Sequence, residues 1–161
     1  MTLTESSHLL VASIGEMVFS SDPESHLIVY GLGSCVALAA WDPRTRVGGM
    51  AHFMLPSGST NGSSPVKFID TGLETFLQAL ETRGAVPSRS LLKAAGAAAM
   101  LTIGGGVAIG KRNEETILAT LTEHGLRLSA SALGGSAGRT VQLDVSDGRF
   151  LIRSLSSVAE L

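Results

Sequence analysis

Residues 31–53 read GLGSCVALAAWDPRTRVGGMAHF. Two apolar runs flank a polar centre, and that centre opens with Asp42-Pro43. Asp before Pro favours a type I turn, because proline presets the backbone and the aspartate bonds the turn's own amides. A four-residue loop over residues 42–45 makes Trp41 and Arg46 the closing pair of a β-hairpin. Counting back along the two strands puts Cys35 directly opposite His52, on one face of the ribbon. Directly opposed residues have Cα atoms about 4.5–5.5 Å apart, so a thiol–imidazole hydrogen bond is expected. A slip of one residue would carry His52 to the other face, so the turn decides the pairing.

The chain has a single cysteine, which excludes an intrachain disulfide and leaves a small buried hydrophobe or a nucleophile. The turn ahead of it, Gly31-Leu32-Gly33-Ser34, carries two glycines whose neighbouring N–H groups no Cβ shields. Such a turn can aim several N–H groups at one point, so the backbone of Gly33, Ser34 and Cys35 is a candidate oxyanion hole. A thiol of ordinary pKa, about 8.5, is mostly protonated at neutral pH and needs a base, and His52 is placed to be that base. His8 and His26 sit near predicted strand starts, and His124 at a helix end, where a histidine favours the helix dipole. No metal site or cofactor is expected: there is no His pair at helical spacing, no second cysteine and no carboxylate cluster in sequence.

Outward from the hairpin, 161 residues fit one domain, 1–161, without a linker or internal repeat. The hydrophobic fraction is 44% against 16% charged, which argues against disorder, and 19 glycines suggest strands and tight turns over a helical bundle. A net charge of −2 with no basic run argues against nucleic acid and against an anionic membrane surface. The N-terminal residues lack the pattern of a signal peptide, and the longest uncharged stretch, residues 94–110, is too glycine-rich to span a membrane. A cytoplasmic location is therefore expected.

Two helices are predicted. Ile69, Leu73, Phe76, Leu77 and Leu80 form one apolar stripe, with Gly84 as the stop signal. The second is expected to begin with Asn113 as N-cap and to end at Gly125, with Glu114 and Glu115 in its first turn. Strands are predicted over 9–18, 26–32, 35–41, 46–55, 126–132, 139–145 and 149–155. Residues 91–101 are open: their alanines favour helix, their neighbours a buried strand. The pattern is α+β, a strand-rich layered sandwich with two main helices on one side. A competing motif is GGVAIGK, residues 105–111, which satisfies part of a nucleotide-binding P-loop. Arg112 stands where magnesium needs Ser or Thr, and no apolar strand ending in an acidic ligand follows.

The blocks GLGSCVAL, DPRTRVGGMAHFMLP, KFIDTGL, IGKRN and GGSAGR occur in the order seen in chemoreceptor glutamine deamidases of the CheD family. The chain resembles that family over about residues 15–155. The resemblance implies an α/β/β layered fold and hydrolysis of glutamine amides on methyl-accepting chemoreceptors, with methyl esters as substrates in some members. It implies that Cys35 and His52 are catalytic and that a CheC-like phosphatase is a partner. Receptor signalling domains of this kind are acidic helical hairpins, which would suit the basic pair Lys111-Arg112 beside Asn113 as a substrate-binding segment. A scaffold that binds CheC or receptors without catalysis is the alternative. Three positions depart from the family pattern. Val29 replaces a threonine counted as the third catalytic residue, the segment GGA reads Gly96-Ala97-Ala98, and Ala132 replaces an acidic residue. With Val29 unable to orient His52, a backbone carbonyl is the expected substitute, ahead of Ser34 or Thr71.

Overall fold

The computed structural model describes residues 8–59, 61–100 and 106–161. In chain order these form β1 (Leu9–Val11), β2 (Met17–Ser20), β3 (His26–Leu32), β4 (Val36–Trp41), β5 (Gly48–Phe53), α1 (Ile69–Thr82), β6 (Leu91–Gly96), α2 (Gly106–Glu123), β7 (Ala130–Leu133), β8 (Arg139–Asp144), β9 (Phe150–Arg153) and β10 (Val158–Glu160). The strands build two five-stranded sheets, a central one ordered β2-β5-β4-β6-β7 and an outer one ordered β1-β3-β8-β9-β10.

Side-chain alternation along β4 sorts the layers. Val36, Leu38 and Ala40 pack in one core with Ile69, Leu73, Phe76 and Leu80 of α1 and Ile117 and Leu121 of α2. Ala37 and Ala39 point the other way, into a second core with Leu27, Val29, Val141, Leu143 and Phe150 of the outer sheet. The central sheet is thus covered on both faces, and the molecule is an α/β/β sandwich. Small residues on the inter-sheet side, Ala37, Ala39 and Ala95, let the outer sheet approach closely.

The predicted elements hold, with strand β10 at Val158–Glu160 unforeseen and four further differences. Residues 9–18 are two strands, because a turn at Gly15, whose φ is 77°, sends the chain from the outer sheet to the central one. The open stretch resolves as strand β6 at Leu91–Gly96, where Ala94 and Ala95 are buried on opposite faces; tertiary burial overrides alanine's helix propensity. The strand expected over 126–132 is β7, which begins only at Ala130 and runs to Leu133. Helix α2 begins at Gly106, not at Asn113, so residues 106–111 of the P-loop-like motif are helical and cannot form a phosphate-cradling loop; Gly105 lies outside the described residues. Gly110 has a packing reason instead: a Cβ there would lie 2.2 Å from the carbonyl oxygen of Ala98, so only glycine lets α2 rest on that segment.

Candidate active site

The turn before Cys35 is held through its carbonyls. Gly33 C=O accepts from Ala98 N–H at 2.9 Å, and Cys35 C=O accepts from Ala97 N–H at 2.8 Å. Ser34 C=O accepts from the Asn113 side-chain amide at 2.8 Å. The partner segment is shaped for this role. Gly96 sits at φ 109°, where a Cβ would lie 2.1 Å from the Cys35 carbonyl oxygen, and Ala97 is left-handed at φ 53°. Arg139 fixes the segment from the outer sheet: its guanidinium donates to the carbonyls of Gly96, Ala132 and Gly134. Burial lowers the Arg139 pKa, and those three carbonyls compensate part of that burial.

His52 comes from β5. Its backbone is locked to the 12–16 turn, with His52 N–H donating to Glu16 C=O and Gly15 N–H donating to His52 C=O. Its ring nitrogen Nδ1 lies 3.1 Å from the carbonyl oxygen of Ala12. A carbonyl can only accept, so Nδ1 carries the hydrogen and Nε2 is the basic nitrogen of the neutral ring. A backbone carbonyl thus takes the orienting position expected from sequence. Ala12 fills that position in place of Ser34, and the Thr71 hydroxyl is engaged elsewhere, donating to Pro65 C=O at 3.0 Å.

The hairpin register differs from the expected one. His52 is opposite Ala37, and the last ladder pair is Trp41 with Gly48. The turn has moved along by one residue, because Asp42 extends the ladder by donating its N–H to Val47 C=O. The pairing shifts by two positions in total, and an even shift preserves the face. Cys35 and His52 are therefore diagonal neighbours and not directly opposed. Diagonal pairs in a sheet are about 7–8 Å apart at Cα, within reach of long side chains. Both line one cavity of about 480 Å³ with Val11, Ala12, Ser13, Ile14, Tyr30 and Gly31. Burial raises the Cys35 pKa and lowers that of His52, the latter opposed by the Ala12 hydrogen bond and the Glu16 charge. Burial thus disfavours the charged form of each group.

Two comparisons bear on this arrangement. The family described as CheD chemotactic sensory transduction matches residues 54–154, most of the chain though beginning just after His52. A probable chemoreceptor glutamine deamidase CheD of Symbiobacterium thermophilum is 42% identical over 153 residues, covering 91% of this chain and 93% of its own. The chain belongs to the CheD family. The chemoreceptor glutamine deamidase CheD of Thermotoga maritima is 36% identical, covering 94% of this chain and 95% of its own, and a probable one of Anaeromyxobacter dehalogenans is 37% identical over 95% and 99%. These alignments extend well beyond the matched family segment, toward the half of the chain that carries the thiol and the imidazole.

Seen as a CheD chain, the three departures have definite surroundings. Val29 is fully buried in the inter-sheet core. Ala97 occupies a left-handed backbone position that a glycine would take without strain. Ala132 offers its backbone carbonyl to Arg139. Asn113 is not a helix cap: it lies within α2, fully buried, so it cannot touch a receptor directly. Its Nδ2 also donates to Met54 C=O at 3.0 Å, and its Oδ1 has no partner among the described residues. Lys111 and Arg112 are exposed on the preceding turn, with Lys111 Nζ 3.9 Å from Glu115 Oε1. Sequence spacing could not find Ala12, Asn113 or Arg139 in these roles, because each acts across layers. His8 lies within reach of Asp22 and Glu24 in an exposed cluster that sequence reading also missed. No helix among the described residues is long and apolar enough to cross a membrane.

Proposed function

We propose that this protein hydrolyses glutamine side-chain amides of chemoreceptor signalling domains, with Cys35 as nucleophile and His52 as general base. The observation that carries the reading is the shared cavity: a thiol and an imidazole with its Nδ1 tied to Ala12 C=O face one pocket at the edge of the inter-sheet layer. His52 Nε2 takes the thiol proton as Sγ attacks the carboxamide carbon, directly or through one water. The oxyanion is held by backbone N–H groups of the 33–35 turn. The C–N bond breaks as imidazolium returns a proton to the leaving ammonia. Water, deprotonated by His52, then opens the thioester and regenerates the thiol, leaving glutamate.

The resting state fits this order. Burial disfavours the charged form of both groups, so the proton moves as the bond forms. Around the mouth, Val11, Ile14 and Tyr30 are exposed, an apolar rim that suits one face of a receptor helix. Lys111 and Arg112 are accessible for the acidic face of the same partner, and the family resemblance adds a CheC-like phosphatase as competitor. Arg112→Ala is expected to weaken receptor binding in a salt-dependent way.

The test is mass spectrometry of a purified receptor cytoplasmic domain incubated with wild type and with Cys35→Ala. Conversion of specific glutamines to glutamate by wild type alone supports the reading. No conversion by wild type, with CheC or receptor binding retained, would establish a binding module instead.

A further inference from the structure

We infer that Asn113 is a positioning residue that sets the peptide plane of the oxyanion-hole donor at Cys35 and fixes that strand against the one bearing His52. The inference rests on the proposed cysteine mechanism. Its ground is where one buried side chain spends its two donors. Asn113 Nδ2 reaches Ser34 C=O at 2.8 Å and Met54 C=O at 3.0 Å. Ser34 directly precedes Cys35, and Met54 follows His52 by two residues. The β4–β5 ladder has its last pair at Val36 and Phe53, so one amide ties the two strands together just past the point where backbone pairing stops.

The direction of the tie matters. In a trans peptide C=O and N–H point opposite ways, and among the described residues no peptide is cis. Helix α2 packs on the face of the central sheet away from the outer sheet, while Cys35 packs toward the inter-sheet core. Drawing Ser34 C=O toward Asn113 therefore turns the Cys35 N–H away from α2, toward the side where thiol and imidazole meet. The amide orientation is itself forced, since rotating it would set Oδ1 against two carbonyl oxygens that cannot donate. Oδ1 is consequently buried without a partner among the described residues. A buried acceptor left unmet is the expected cost of an amide whose two donors are both committed to carbonyls.

Three measurements on Asn113→Ala, in the intact chain, separate this role from a structural one. Receptor deamidation is expected to lose about 10–100-fold in kcat with KM nearly unchanged, less than the about 10²–10³ of removing a hole donor outright. Alkylation of Cys35 by iodoacetamide, a displacement that builds no oxyanion, is expected to stay within about threefold of wild type. Hydrogen exchange at the Cys35 amide, followed by NMR, is expected to change sharply while core amides of β4 keep their protection. If Asn113→Ala is too unstable to purify, Asn113→Ser, which keeps one donor, is read the same way with a smaller fall. A folded variant with kcat within about threefold of wild type and an unchanged Cys35 amide overturns the inference. Should wild type fail to deamidate, the functional reading falls on that result alone, and the Cys35 amide exchange still decides whether Asn113 sets the turn.

Discussion

At the tip of the β4–β5 hairpin Asp42 is fully buried, and both carboxylate oxygens are used. Oδ1 accepts from Arg44 N–H and Arg89 Nε, each at 2.9 Å; Oδ2 accepts from Val86 N–H at 2.9 Å and Arg89 Nη2 at 2.5 Å. The Arg89 side chain holds the Asp42 pKa far below the ordinary carboxylate value, against the opposing effect of burial. At the other end of the same strands, the polar groups are left in less favourable states. The Cys35 thiol is raised and the His52 imidazole lowered by burial, and Asn113 Oδ1 has no partner among the described residues. An unmet buried acceptor costs about 1–3 kcal/mol. One end of the hairpin satisfies its polar groups and the other leaves an acceptor unmet among the described residues, and the first fixes the register that makes Cys35 and His52 diagonal neighbours.

The sharpest way to break this contrast is at the open end. Cys35→Ala is expected to abolish deamidation while leaving the thermal midpoint within a few degrees of wild type. An active Cys35→Ala, measured by receptor mass shift, would sink the mechanism. At the closed end, Asp42→Ala should do the reverse. It removes a buried carboxylate bonded by two backbone amides and by Arg89, whose side chain is about a third exposed, so unfolding in urea should reveal a loss of about 1–3 kcal/mol. Below its melting range Cys35 alkylation should be little changed. A loss under about 1 kcal/mol would place the pair among weak surface bridges.

pH separates the two ends as well. Asp42 has a depressed pKa in the folded state, so its stabilisation is present above the unfolded value near 3.8 and is lost as pH falls below it. Asp42→Asn should therefore flatten the acid limb of the stability profile. His52, by contrast, should govern activity: with its pKa lowered from 6.5, the acid limb of kcat/KM is expected to have its midpoint below that value. Iodoacetamide reactivity of Cys35 should keep rising through and beyond the ordinary thiol range. A reactivity plateau already reached below neutral pH would indicate a preformed ion pair and contradict a proton that moves as the bond forms.

Two smaller effects refine the comparison. Val29→Thr places a hydroxyl in the inter-sheet core, but Ala12 C=O already occupies His52 Nδ1. The gain in kcat should not exceed roughly tenfold, the worth of one hydrogen bond of about 1.5 kcal/mol; a larger rise would mean that Ala12 is a poor substitute. Ala97→Gly relieves a left-handed alanine beside the Cys35 carbonyl, and should stabilise the fold by up to about 1 kcal/mol in denaturant titration. A loss of stability there would show that the Ala97 backbone is not strained.

Much of this architecture was written locally. The apolar stripe from Ile69 to Leu80 gave α1, the Asp42-Pro43 pair gave the hairpin, and the block motifs gave the family. Even the shared face of Cys35 and His52 could be read, since it depends only on parity along two strands. What local pattern could not supply was the register itself: Asp42 joins the ladder because Arg89 and Val86, over forty residues away, bury and bond its carboxylate. The same limit hid the start of α2 at Gly106 and the position of Asn113, whose spacing fits a helix cap as well as a helix interior. Ala12, Asn113 and Arg139 reach the site from a turn, a helix and the outer sheet. Periodicity and turn chemistry act over a few residues and fix elements and faces. The contacts that finish the site cross between layers, and only the packing of one layer on another determines which carbonyl a distant side chain meets.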